Sequence, residues 1–323
     1  MFKTASFFRI AADFVMPPLD AFEEALQAQR FVPCGATQPE SHGWVPPRGK
    51  KGNLLAESVG GQVILSLCTE RRALPASAVK AGVEEKIERY MKETGNERVG
   101  AKIKKEFKEE VVLDLLPRAF TKKSSTLVWI DAARKLLVVG TGSLTGADKV
   151  VTALVEALAA VPGAAPALGF KPVQTKTSAA VSMSQWLSTR EAPMNFTVDR
   201  DCELKTPDEH KSTVRYSRHT LEIEEVPQHI AAGKVPTQLA LTWNDRLSFV
   251  LTEAAQIKRI QLLDVVLEGV DKPGKDDDGF DTDAAIITGE LSGLIPDLLE
   301  ALGGEMEDQP VTAVPAETAD APF

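Results

Sequence analysis

Two apolar stripes, each with a four-residue repeat, constrain this chain more than any other feature. Val79, Val83, Ile87 and Met91 form the first, and Val99, Ile103, Phe107, Val111 and Leu115 the second. A spacing of four puts each set on one side of an α-helix and leaves the charged residues on the other. Gly95-Asn96 punctuates the pair with residues that tolerate positive φ, and Pro117 ends the second helix. The expected unit is an antiparallel helical hairpin over residues 76–117, standing out from the rest of the fold.

The flanking sequence reads mainly as short strands. Residues 4–10, 54–59, 62–69, 126–131, 135–139, 196–204, 212–217, 220–225, 236–243 and 246–251 are rich in β-branched and apolar residues. Gly60-Gly61 between two of these runs is a two-residue hairpin signal. Helices are expected at 20–30, 146–160, around 183–187, at 227–232 and at 284–302. The Gly- and Pro-rich stretch from Pro33 to Pro47 reads as a loop, and Val161 to Pro166 as a linker and domain boundary. Runs of strands with few crossover helices predict an α+β fold with largely antiparallel sheets.

The net charge of −9 is an apparent objection to a nucleic-acid ligand. Its distribution removes the objection, because residues 271–323 hold 14 acidic and 2 basic residues while residues 71–123 hold 14 basic and 9 acidic. Arg98, Lys102 and Lys105 recur at helical spacing on the second hairpin helix. Arg118, Lys122 and Lys123 follow Pro117 with Phe120 between them, and Lys211, Arg215, Arg218 and His219 come later. Lysine and arginine neutralise phosphates and release counterions, which gives affinity without base discrimination. The same composition also fits a solvated helix surface.

Enzyme motifs are weak. The turn at residues 140–146 lies between a strand and a helix, but a dinucleotide fingerprint needs glycine at 145, where Thr145 stands. Phosphate-loop and serine-elbow motifs are absent. Asp276, Asp278, Asp281 and Asp283 could hold metal for a nuclease, although no glutamate closes a calcium loop. Cys34, Cys68 and Cys202 are distant and odd in number, and read as buried thiols. The four histidines lack metal-site spacing, so neither metal nor cofactor is expected. No apolar run approaches the length of a membrane span, so the expected location is the cytoplasm.

Several stretches resemble the RdgC family: Phe31-Val32-Pro33-Cys34-Gly35, Gly43-Trp44-Val45-Pro46-Pro47, Leu74-Pro75-Ala76, Leu115-Leu116-Pro117-Arg118-Ala119-Phe120, Lys258-Arg259-Ile260, Phe280-Asp281-Thr282-Asp283 and Thr288-Gly289-Glu290-Leu291. They occur in family order over about residues 1–306. The resemblance implies a ring-shaped homodimer with double-stranded DNA in a basic hole, association with the nucleoid, antagonism of the strand-exchange recombinase, and no catalysis. It implies a central region (1–75 plus 118–174), a helical tip (76–117) and a base (175–306), with 307–323 a disordered acidic tail. It places Phe120 at the tip contact that closes the ring. Arg218-His219 fall where relatives often carry Lys-Gln.

Overall fold

The computed structural model describes residues 1–163, 169–208, 212–270 and 278–306. Its strands are β1 (Thr4–Ile10), β2 (Glu40–Val45), β3 (Glu57–Val59), β4 (Gln62–Ala73), β5 (Phe120–Asp131), β6 (Leu136–Val139), β7 (Phe170–Pro172), β8 (Phe196–Lys205), β9 (Thr213–Tyr216), β10 (Val235–Trp243), β11 (Leu247–Thr252) and β12 (Ile257–Leu262). Its helices are α1 (Leu19–Ala28), α2 (Ala76–Thr94), α3 (Ala101–Leu115), α4 (Leu144–Ala159), α5 (Ala179–Thr189), α6 (Glu225–Ala231), α7 (Asp264–Leu267) and α8 (Phe280–Ala301). The fold is α+β, built on one large antiparallel sheet.

That sheet runs β2-β4-β5-β6-β1-β12-β11-β10-β8-β9, with β3 paired to β4 and β7 to β1. β1 joins the two halves. Thr4 and Ala5 pair with Lys258 and Ile257 of β12, whereas Ser6 to Arg9 pair with β6. Alternation along the strands sorts the core into two layers. Phe8, Leu137, Ile130 and Val63 point to one face and pack with Phe22 and Leu26 of α1 and Leu154 and Leu158 of α4. Phe7, Val138 and Trp129 point to the other and join Leu239, Leu251 and Ile257 under Met183 of α5 and Leu291, Leu294 and Leu298 of α8.

Local chemistry explains most boundaries. Gly60 and Gly61 have φ of 58° and 81°, as a two-residue turn between antiparallel strands requires. Gly95 ends α2 in the left-handed region at φ 72°. Ser143 caps α4 by accepting the Gly146 N–H, and Ser178 caps α5 by accepting the Val181 N–H. The Cys68 and Cys202 thiols are buried, and burial pushes Cys202 up to about 12.

The structure corrects five expectations of local structure. Residues 40–45 are a strand, because all six register against β4 despite the neighbouring prolines. β5 starts at Phe120, since its polar first half is paired to β4 through to Ala73. Residues 220–225 are not a strand: the chain reverses at Arg218 (φ 55°), Leu221 is buried, and α6 begins at Glu225. α5 is longer than expected, and β7 and β12 form where no element is expected. The second half of the expected linker, from residue 164, and the acidic tail at 307–323 lie outside the described residues.

α2 and α3 follow one another between β4 and β5. Gly82 lies against Val111, Lys86 Nζ is 2.8 Å from Glu110, and the Tyr90 and Phe107 rings meet edge to face at 5.7 Å. These pairs run in opposite order along the two helices. α2 buries no residue fully and α3 only Val111, so the two stripes cover each other without entering the main core.

Candidate nucleic-acid interface

The first basic group lies at the outer end of β5. Arg118 is exposed on the 3-10 turn at Leu116–Arg118, and Phe120 is 88% exposed at the first position of the strand. The register opposes Phe120 to Ala73 and Lys122 to Arg71, so alternation puts Phe120, Lys122 and Arg71 on one face. Lys123 points the other way, 3.8 Å from Glu70 and 5.0 Å above the Phe31 ring. Lys122 and Arg118 make no ion pair among the described residues. Arg71 is 2.5 Å from Glu40, which Lys149 also holds. Burial works against ionising Glu40, but the hydrogen bonds from Lys149 and Arg71 outweigh it and hold its pKa below the usual range.

The second group is smaller than expected. Arg98 is exposed but lies before α3, because Gly100 is extended at φ −66° and ψ 157° and the helix starts at Ala101. It therefore shares no helical face with Lys102 and Lys105, which are both exposed on α3.

The third group surrounds β9. Arg215 is exposed opposite Glu203. The Arg218 N–H donates to Asp201 Oδ1 at 2.8 Å, and the His219 N–H donates to the Arg200 carbonyl at 3.1 Å. His219 also stands 6.1 Å from the Tyr216 ring. Lys211 lies outside the described residues. Sequence reasoning missed two neighbours. Arg259 reaches Asp201 at 3.3 Å from a positive-φ kink in β12, and Lys258 shares the face of Arg215 through the register Lys258–Val250, Ala240–Val250, Gln238–Glu203 and Glu203–Arg215. Their signal was the Lys258-Arg259-Ile260 stretch, read as resemblance and not as charge.

Register extends this relationship. Counting alternation across β1, the face of Arg71, Lys122 and Phe120 is also the face of Lys258 and Arg215. Seven strand steps separate β5 from β9, roughly 34 Å at about 4.8 Å per step. The first and third groups thus belong to one sheet face but form separate patches on the subunit, with α1 and α4 packed on that face over the strands nearer β5.

The acidic alternative is built differently. Arg48 lies 2.9 Å from Glu57, 3.1 Å from Asp278 and 2.5 Å from Asp281, with its guanidinium 4.6 Å from the Phe280 ring centroid. The Phe280 N–H donates to Asp278, and with Arg48 this holds the carboxyl below its usual range against a burial effect of opposite sign. Asp278 and Asp281 thus tie the start of α8 to the loop after β2. Asp283 sits in the first turn of α8, and Asp276 lies outside the described residues. Among the described residues no three His, Cys, Asp or Glu side chains are grouped to hold a metal. The turn at 140–146 is filled by its own chain: a Cβ on Gly142 would stand 2.6 Å from Lys258 Cε, and one on Gly140 3.0 Å from the Leu127 carbonyl. Those glycines serve close packing. No described helix is long and apolar enough to cross a membrane.

A family model described as "Putative exonuclease, RdgC" matches residues 1–305. The chain is 41% identical over 305 residues to a recombination-associated protein RdgC of Herminiimonas arsenicoxydans, covering 94% of this chain and 98% of the relative. It is 41% identical over 309 residues to the protein of that name from Dechloromonas aromatica, with the same coverage. The relative from Bordetella pertussis is 35% identical over 305 residues, again at 94% and 98%.

Proposed function

The chain belongs to the RdgC family of recombination-associated proteins, and from that premise we propose that it binds double-stranded DNA without sequence preference as a ring-shaped homodimer. The ring encircles the duplex in the nucleoid and limits access of the strand-exchange recombinase. The subunit is divided into a central region (1–75 plus 118–174), a helical hairpin tip (76–117) and a base (175–306). The tips meet with Phe120, just past the foot of the hairpin, at their contact.

The observation that carries this reading is the 88% exposure of Phe120 between Arg118 and Lys122. A large aromatic ring left in water among cations is costly to leave uncovered, and such residues are enriched at the centres of interfaces. Separate basic patches on one subunit also suit a closed two-fold assembly, in which every cation appears twice around the hole. Arg98, Lys102 and Lys105 from the tip, Arg118 and Lys122 from the central region, and Lys211, Arg215, Arg218 and His219 from the base supply phosphate contacts. Lys123 contributes less, because Glu70 and Phe31 already hold it.

The protein acts without catalysis in this reading. The description of the matching family as an exonuclease makes cleavage the competing outcome. Incubating linear and circular duplex DNA with magnesium and the full chain separates them. Binding without shortening or nicking supports the clamp, and magnesium-dependent loss of nucleotides supports the nuclease.

A further inference from the structure

We propose that Arg72 is a positioning residue that fixes how α2 and α3 leave the sheet, and thereby where Phe120 stands. The inference rests on the reading of Phe120 as a contact between subunits.

Arg72 lies one residue before the end of β4, in register with Thr121 of β5. Its guanidinium donates to four backbone carbonyls on two separate segments. Nη1 reaches Leu116 O at 3.0 Å and Ala119 O at 3.2 Å. Nε and Nη2 reach Gly35 O at 3.2 and 3.1 Å, and Nη2 also reaches Cys34 O at 3.4 Å. Arg72 makes no ion pair with a carboxylate among the described residues. Its planar fork is used to span two turns at once, which a lysine ammonium on a single centre cannot reproduce.

Both ends of the α2–α3 excursion meet at this side chain. The chain leaves the sheet just after Arg72 and returns through the 3-10 turn whose carbonyls Arg72 holds. The other two carbonyls belong to a platform that is itself fixed: the Cys34 N–H donates to Glu70 Oε2 at 2.6 Å, and Ser41 Oγ donates to Val32 O at 2.9 Å. Arg72 thus links the 31–35 loop to the 116–119 turn, two stretches far apart in sequence. Few other anchors exist, since within α2, α3 and the turn only Val111 and Leu116 are buried. Phe120 follows the held Ala119 carbonyl directly and is the last pair of the β4–β5 ladder, so strand alternation sets the face it takes and this turn sets where that end of the strand stands.

The test uses Arg72→Ala, Arg72→Lys and Phe120→Ala in the full chain. Self-association is measured by sedimentation, and backbone amide exchange is compared at Ala119, whose N–H donates to Leu116 O, and in β10. The expected result is exchange at Ala119 at least about tenfold faster in Arg72→Ala, unchanged protection in β10, and self-association weakened about fivefold or more, with Arg72→Lys intermediate. Wild-type exchange and association in Arg72→Ala would overturn the proposal. So would weakened association with unchanged exchange, which would make Arg72 a direct contact. If Arg72→Ala loses β10 protection as well, Arg72→Lys decides by the same two readings. Faster exchange with association unaltered in both Arg72→Ala and Phe120→Ala would uphold the anchoring by Arg72 and refute the contact role of Phe120.

Discussion

Ala73 and Phe120 are the last register pair of the β4–β5 ladder, so everything between them is an excursion from the end of a paired ribbon. The ladder runs from Val63 opposite Ile130 to this pair without a break. The alternation that buries Val63, Leu65 and Leu67 on one side turns Lys122 and Phe120 outward from the same side at its far end. A continuous strand thereby couples the hydrophobic core to the exposed aromatic ring.

Replacing Phe120 by alanine should leave folding nearly unchanged, within about 0.5 kcal/mol, because the ring is almost wholly in water. Self-association should weaken about tenfold or more, about 1.4 kcal/mol, as expected for a central aromatic contact. Urea unfolding and sedimentation of the same variant check both parts. Wild-type association would remove Phe120 from the interface.

Lys122 and Lys123 offer an internal comparison. Lys122→Ala and Arg215→Ala should each flatten the salt dependence of duplex binding by about 0.9 per lost phosphate contact, or about 1.8 if both subunits contribute. Lys123→Ala should change it less, since that ammonium already faces Glu70 and Phe31. Equal effects at the two lysines would show that the face assigned by register does not select the DNA contacts.

Arg48 is expected to matter for stability. Arg48→Ala strands the buried Glu57 carboxylate and frees the start of α8. A loss of about 3 kcal/mol is expected from removing one partner of a mostly buried ion-pair cluster. Denaturant titration measures it, and a change below about 0.5 kcal/mol would contradict the structural role of the Asp278–Asp281 segment.

Stability should fall on acidification. Glu203, chiefly through the Lys205 hydrogen bond, and Glu40, where Lys149 and Arg71 overcome burial, are both held below the usual glutamate range. A lowered folded-state pKa gives stability that is fully present above the unfolded value, about 4.3, and is lost as pH falls through the lowered values. Unfolding midpoints from about pH 6 to about pH 3 should drop mainly below about pH 4.3, and less steeply in Glu40→Gln. A flat profile would contradict this assignment.

Strong local signals were legible in the sequence. The stripe led by Val79, the second stripe from Ile103 onward, the Gly60-Gly61 turn and the Gly95 cap match α2, α3, the β3–β4 turn and the end of α2, whereas Val99 lies before α3. Pairing was not legible. The Lys- and Ser-rich start of β5 has no apolar alternation, and only its ladder with β4 makes it a strand. The Glu40–Val45 strand was hidden by flanking prolines. Of the site, the basic residue types were readable, but Lys122 and Lys123 differ only through register. Arg98 was misplaced because Gly100 interrupts a helix that charge spacing alone continued. Arg72 and Arg259 were invisible as functional candidates, since their roles depend on carbonyls and on Asp201 from distant segments.

The central claim is most directly tested by a salt series of duplex-DNA binding with oligomeric mass measured in parallel. A dimeric clamp that makes about six or more phosphate contacts should lose at least about a thousandfold in affinity between about 50 mM and about 200 mM salt, with equal affinity for unrelated sequences and a dimer mass throughout. Salt-insensitive binding, or full affinity in a monomer, would contradict it.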